Sequence, residues 1–293
     1  MLGTSMLTNY RDAYAKSEIR NTQTKAYMLK TGEDDRERLN IQSVFAEVPL
    51  LEAMTKWQVE GSLGKDFSGK FLLDFGCGAG SACSFLKKHF PNVNYQGIDL
   101  AADSIASAQD AHPSEIFFVG DEHAQSIIHP ADIIFVRFVV QHQCNPEQFL
   151  CDLTSQMKSG SKVLIFEPYT DINLISKELP NSLYQARLKL TDYKFALGEA
   201  TGSKQNFAPK ILNHLISLGL SEVQEFVTEP LIFSLESLRE ILIGLFVSMK
   251  PKLIHSNIAT EEDIESHITT IRTHHDVEGV YLGHAYIFLA TKL

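Results

Sequence analysis

The stretch Leu72-Leu73-Asp74-Phe75-Gly76-Cys77-Gly78-Ala79-Gly80 decides the fold. Its apolar first half, over Phe71–Phe75, is typical of a buried strand. The strand runs into a GxGxG loop, and helical periodicity follows over Ser81–His89. Because glycines let a backbone turn tightly and approach a ligand closely, the segment predicts a strand–loop–helix unit that binds a ligand at the loop.

Outward from this unit, short apolar runs alternate with helical patterns. The predicted strands are Phe71–Phe75, Tyr95–Leu100, Ile116–Val119, Ile133–Phe138, Lys162–Phe166, Val223–Val227 and Ala285–Thr291. The helices predicted among them are Ser81–His89, Ala102–Ala111, Pro146–Met157 and Pro209–Leu218. This alternation predicts an α/β fold with a seven-stranded, mostly parallel sheet flanked by helices.

The remaining segments are predicted to be helical. Residues 1–60 form an N-terminal helical cap, with a helix over Glu33–Met54 that Pro49 breaks or kinks near its end. Residues 61–293 form the α/β domain. Helical insertions at about 171–215 and 235–271 are expected to act as a lid over one edge of the sheet.

An acidic residue follows the loop at an informative distance. Asp99 ends the second predicted strand, 19 residues after Gly80, about the spacing at which a carboxylate reaches ribose hydroxyls. The GxGxG spacing differs from the GxGxxG typical of nicotinamide and flavin enzymes, whose helix N-terminus faces a pyrophosphate. Asp74 beside the loop favours a ligand that carries an ammonium group. A nicotinamide-dependent oxidoreductase is therefore a disfavoured alternative.

Together these motifs resemble those of class I, Rossmann-like S-adenosylmethionine-dependent methyltransferases. Beyond the loop and Asp99, the resemblance covers Gly120-Asp121-Glu122 after the third strand, the fourth-strand segment 131–142, and Ser159–Glu167. Ser159 and Ser161 stand where proline and a second glycine are usual in the turn before the fifth strand, so that match is looser.

The resemblance implies S-adenosylmethionine as cofactor, leaving S-adenosylhomocysteine as product. It implies that the cofactor contacts residues of the loop and of the strand ends, with Asp121 favoured for the adenine amino group and Arg137 for the cofactor carboxylate or for bracing the loop. These candidates are Asp74, Gly76, Gly78, Gly80, Asp99, Leu100, Gly120, Asp121, Glu122 and Arg137. An upstream segment resembles a helix of bacterial small-molecule methyltransferases, which adds Tyr27, Arg38 and Gln42 at the methionine end.

The candidate catalytic residues are His142 and Glu167, which follow the fourth strand and end the fifth. Methyl transfer from a sulfonium is a direct in-line displacement that needs neither a covalent intermediate nor a metal. Holding the nucleophile in line with the methyl carbon can contribute ~7–11 kcal/mol. A base is required only if the acceptor must lose a proton, and His142 or Glu167 would supply it. The alternative for His142 is a packing residue at a helix start.

Composition limits the partners. The chain has 293 residues with a formal net charge of −10, which disfavours binding to a phosphate backbone, so a small organic acceptor is expected and no nucleic acid. No apolar stretch reaches the ~20 residues of a membrane span, and no signal-peptide pattern opens the chain, so the expected location is cytoplasmic.

No metal site is expected either. The four cysteines form no CxxC pair, and His274-His275 has no evident third ligand. The alternative function is a catalytically silent subunit that binds S-adenosylmethionine in a regulatory or scaffold role. The acceptor, its methylated atom and the oligomeric state are left open.

Overall fold

The computed structural model describes residues 33–64, 66–169, 181–228, 232–233, 235–273, 280–281 and 284–293. The strands are β1 Phe71–Phe75, β2 Asn94–Asp99, β3 Ile116–Val119, β4 Ile133–Arg137, β5 Lys162–Tyr169, β6 Ser221–Val227, β7 Ile232–Phe233, β8 Val280–Tyr281 and β9 His284–Thr291. The helices are α1 Glu33–Glu60, α2 Cys83–His89, α3 Ala102–Ala111, α4 Gln125–Ile128, α5 Pro146–Ser155, α6 Asn181–Thr201, α7 Ala208–Ser217, α8 Leu235–His255 and α9 Glu261–Thr273.

Seven strands form one sheet in the order β3-β2-β1-β4-β5-β9-β6. β1 lies in parallel register between β2 and β4, so Asp74 faces Gly97 on one side and Phe135 on the other. Within this sheet, β9 runs antiparallel to both of its neighbours, β5 and β6, and the other pairs are parallel. The strand order reverses between β1 and β4, the point where open α/β sheets bind ligands at their carboxyl ends. The predicted fold class is confirmed.

Apolar side chains fill both faces of this sheet. Successive strand residues point to opposite faces, so Leu72 joins one core and Leu73 the other. The first core also takes in Met54 and Trp57 of α1, both buried. Helix α1 therefore packs on the same face of the sheet as Leu72.

Helix α1 is longer than predicted. It continues through Pro49 to Glu60, although proline removes one helical hydrogen bond. Leu50, Met54 and Trp57 beyond the proline are each at most 2% exposed. Their burial offsets the lost bond, since burying one large apolar side chain contributes ~1.5–3 kcal/mol.

The helical segments after β5 divide between two layers. Helices α6, α8 and α9 share a third apolar core that includes Leu190, Phe246 and Ile268. Helix α7, within the predicted first insertion, instead packs on the sheet through Ile211 and Leu215. The reason is the strongly one-sided apolar pattern of α7, which suits a sheet face. The division into cap, domain and lid stays a prediction.

Three small elements were not predicted: helix α4, a 3-10 turn at Val140–His142, and the antiparallel pair of β7 with β8. Each is too short to give a periodic signal. Among the residues described, no helix is long and apolar enough to cross a membrane. The same part of the chain holds no group of three His, Cys, Asp or Glu side chains that could bind a metal ion, and His274-His275 lies outside it.

Candidate active site

The glycine loop adopts a conformation that requires glycine. Gly76, Gly78 and Gly80 have φ of +73°, +52° and +79°, in the left-handed region. The amides of Gly76 and Cys77 both donate to the Ile98 carbonyl, at 2.8 and 3.0 Å. A Cβ at Gly76 would lie 2.3 Å from Cγ2 of Val139. The loop therefore lies directly against the segment that follows β4.

Asp99 ends β2 and holds this loop. Its Oδ2 accepts from the Gly78 amide at 2.8 Å, and its Oδ1 accepts from the Ala101 amide at 2.8 Å. Burial raises the pKa of this carboxyl, while the amide bonds oppose the rise. An ionised carboxylate has about four lone-pair sites, so Asp99 retains capacity for further hydroxyl donors. Its neighbour Leu100 is half-buried at the same strand end.

Asp74 lies beneath the loop rather than on it. The residue is 2% exposed, and the Tyr95 hydroxyl donates to its Oδ2 at 2.7 Å. Burial raises the pKa of Asp74 to about 6, against the opposing effects of Tyr95 and of the Arg137 charge. Any influence of Asp74 on a ligand therefore acts through the loop and through charge.

The raised pKa of Asp74 makes a testable contribution to stability. Between pH 3.8, its ordinary value, and about 6, the folded chain holds this proton more tightly than the unfolded chain, so stability falls as pH rises. At about 1.4 kcal/mol per pKa unit, the contribution amounts to ~3 kcal/mol. Asp74→Asn keeps an oxygen that accepts from Tyr95 and removes the titration. We expect its free energy of unfolding to gain up to ~3 kcal/mol on that of the native chain from pH 4 to pH 7.

Urea denaturation at several pH values measures this difference. Asp110→Asn is the matched control, because Asp110 is exposed on α3. A constant difference in stability between Asp74→Asn and the native chain across this range would contradict the assignment.

Arg137 ends β4 and connects three elements. Its Nη1 donates to Ser43 Oγ of α1 at 2.8 Å, and its Nη2 donates to Ser81 Oγ at 2.6 Å, directly after the glycine loop. Burial lowers its pKa, and the Asp74 charge opposes this effect. The geometry provides the predicted bracing of the loop, while contact with a cofactor carboxylate stays a prediction.

The two acids at the predicted adenine side, Asp121 and Glu122, differ in their exposure. Gly120 donates its amide to the Asp99 carbonyl at 3.0 Å, which joins the end of β3 to that of β2. Asp121 is half-buried and accepts from the His123 amide at 3.0 Å. Glu122 is 5% exposed and lies 3.7 Å from the His123 ring. Asp121 is thus the more accessible of the two carboxylates.

Glu167 uses its carboxylate to position a turn. It is 1% exposed; Oε1 accepts from the amides of Val139 and Val140 at 2.7 and 2.8 Å, and Oε2 from that of Gln141 at 3.3 Å. Burial raises its pKa to about 7, and these amides oppose the rise. The turn so held carries His142, which is half-buried. A catalytic role for either residue stays a prediction.

The upstream candidates fall only partly within the described residues. Leu39 of α1 lies over the loop, with Cδ1 3.7 Å from where a Cβ of Gly78 would stand. Gln42, one turn later, is half-buried. Tyr27 lies outside the described residues, as does the side chain of Arg38, although its backbone belongs to α1.

Sequence reasoning missed three residues: Tyr95, which donates to Asp74, and Arg187 and Lys194 on α6. Tyr95 offers no signal, since a tyrosine in a strand is ordinary. Arg187 and Lys194 of α6 had one: they share a helical face that is offset by one residue from the apolar stripe containing Ala186 and Tyr193. Cationic side chains next to the apolar stripe of a helix are expected to be at least partly buried.

The sheet order, the glycine loop at its switch point and the acidic end of β2 agree with the Rossmann-like fold that the sequence predicts for class I methyltransferases. Residues 73–163 match a family model described as a methyltransferase domain. The predicted resemblance to this class is thus confirmed over that segment.

Curated relatives are similar to this chain over part of its length only. A trans-aconitate 2-methyltransferase of Azoarcus sp. (strain BH72) is 27% identical over 135 residues, 46% of this chain and 47% of that protein. One from Yersinia pestis (strain Pestoides F) is 30% identical over 90 residues, 31% of this chain and 35% of that protein. The chain thus spans less than half of these relatives. The solved YcgJ protein of Bacillus subtilis shares the fold at a TM-score of 0.52 and 14% identity, covering 83% of this chain and 97% of that one.

Proposed function

We propose that this chain transfers a methyl group from S-adenosylmethionine to a small organic acceptor at the carboxyl ends of β4 and β5. The observation that carries the proposal is the Asp99 carboxylate fixed at 2.8 Å on the Gly78 amide. This contact joins an acid suited to ribose hydroxyls to a loop that a ligand can approach closely. Both belong to the segment that matches a methyltransferase domain.

The residues present fit this cofactor. The Asp99 carboxylate accepts from the Gly78 and Ala101 amides and retains lone pairs for ribose hydroxyls at the loop. Bound there, S-adenosylmethionine supplies an activated methyl group on a sulfonium. Asp99 would accept from the ribose hydroxyls, Asp121 would meet the adenine, and Arg137 with Gln42 would lie toward the methionine end.

The chain's own contribution to the reaction is positioning. Glu167 fixes the turn at Val140–His142 through three amides, and that turn lies next to the glycine loop through Val139. A nucleophile held in line with the methyl carbon gains ~7–11 kcal/mol from orientation. His142 is our candidate base for an acceptor that must lose a proton.

A small acceptor is supported by charge and by relatives. The net charge of −10 repels nucleic acid. The two relatives are named trans-aconitate 2-methyltransferases, and trans-aconitate is a small molecule. Helices α6 and α8, which share a core beyond β5, would cover the acceptor as a lid.

The test has two measurements. Calorimetry should detect binding of S-adenosylhomocysteine, and incubation of a cell lysate with methyl-labelled S-adenosylmethionine should place the label in the small-molecule fraction. Label in the protein or nucleic-acid fraction would contradict a small acceptor. Tight binding without transfer to any fraction would support the silent regulatory or scaffold subunit instead. Absence of binding would contradict both.

A further inference from the structure

A pair of cationic side chains on α6 lies outside the set of residues assigned to the cofactor. Arg187, Thr191 and Lys194 stand at intervals of four and three residues, so they share one face of the helix. The neighbouring face, with Leu183, Leu190 and Leu197 among others, packs into the core shared with α8 and α9. The packing of that apolar face therefore fixes the direction in which the cationic face points.

Arg187 is buried, and the described residues give it no counter-charge. It is 7% exposed, and its Nη1 donates to Thr191 Oγ1 at 2.7 Å. Its Nε–H is buried and has no hydrogen-bond partner, and within the described part of the chain no carboxylate pairs with the guanidinium. Burial lowers its pKa to about 10, so it stays charged at neutral pH. A buried unpaired cation costs several kcal/mol, which an anionic ligand would offset.

Lys194 links this arginine to the edge of the sheet. Burial and the Arg187 charge together lower the pKa of Lys194 to about 8, and the Glu167 charge opposes them. Both charged groups therefore act electrostatically on Lys194. Glu167 in turn holds the turn that carries His142. Lys194, on the same helical face as Arg187, is therefore within electrostatic range of Glu167 at β5, where the proposed function places an acceptor.

We propose that Arg187 and Lys194 bind a carboxylate of the methyl acceptor, which makes the acceptor a small organic acid; this rests on the proposed function. Glu167 is ionised above its pKa of about 7, and the two cations beside it then leave one excess positive charge, which a single carboxylate neutralises. A phosphate dianion would leave negative charge beside buried Glu167, so phosphate is disfavoured. The guanidinium, with one arm fixed by Thr191, presents Nε and Nη2 as donors for a carboxylate.

The experiment titrates three probes into the full chain saturated with S-adenosylhomocysteine. Propane-1,2,3-tricarboxylate should bind, while its neutral triamide and inorganic phosphate should not. Arg187→Met and Lys194→Met should each weaken tricarboxylate binding by about 30-fold, the lower range for removing one partner of a desolvated charge pair. Arg272→Gln, an exposed arginine of α9, is the matched control and should bind as the native chain does.

Stability separates binding from a structural role. Arg187→Met removes an unpaired buried charge, so the ligand-free Tm should stay equal or rise; an arginine required for folding would lower it. Undiminished tricarboxylate binding in both variants, preference for phosphate, or no binding of tricarboxylate to a chain that does bind S-adenosylhomocysteine would overturn the inference. Failure to bind S-adenosylhomocysteine would instead contradict the proposed function.

Discussion

Replacing Asp99 by alanine should weaken binding of S-adenosylhomocysteine by at least ~100-fold, since hydrogen bonds to a charged group contribute ~1.5–3 kcal/mol each and ~1.4 kcal/mol corresponds to a factor of ten. Two effects combine in this change. The variant loses the acceptor for the ribose hydroxyls, and it frees the Gly78 amide that Oδ2 holds at 2.8 Å. Calorimetric titration of the purified chain measures the loss.

Two further variants separate these effects. Asp99→Asn keeps one oxygen that accepts from an amide, so we expect a loss near ~10-fold, about one charge-assisted bond. Asp110→Ala removes the same charge from an exposed position on α3 and should leave the affinity unchanged. An Asp99→Ala variant that binds within a factor of two of the native chain would refute the role assigned to this carboxylate.

The cofactor half of the site was readable because its chemistry depends on backbone shape. A left-handed loop requires glycine, so the positions of Gly76, Gly78 and Gly80 mark it in the sequence. The acid at the end of β2 follows from strand length and spacing alone. The parallel register of β1 with β2 then brings the two together without further information.

The proposed acceptor half of the site could not be predicted from the sequence, because its contacts leave no local sequence motif. The partners of Glu167 are three backbone amides, which any residues at 139–141 would offer. The direction of Arg187 depends on how α6 packs against α8 and α9, a long-range contact that leaves no local motif. The extension of α1 beyond Pro49 has the same origin, because burial of Trp57 outweighs a local rule.

Gly76→Ala should destabilise the chain more than any other single methyl addition in the loop. The φ of +73° costs an alanine ~1–2 kcal/mol. The new Cβ would also stand 2.3 Å from Cγ2 of Val139, a distance that forces the loop or the turn to move. Overpacking adds ~1–3 kcal/mol, so we expect a total loss of ~2–5 kcal/mol, measured by urea denaturation, together with weaker cofactor binding.

The chain offers controls that separate strain from collision. Gly69 and Gly160 have φ of +71° and +80°, and a Cβ at either would meet nothing within 4 Å, so their alanine variants report the backbone cost alone. Val139→Ala removes Cγ2 and leaves its own Cβ 3.5 Å from the added methyl, an ordinary contact. In a double-mutant cycle, Val139→Ala should restore the steric part of the Gly76→Ala loss and leave the backbone part. Strict additivity of the two changes would mean that the loop and the turn after β4 are not in contact, and positioning of His142 relative to the cofactor through Val139 would have to be abandoned.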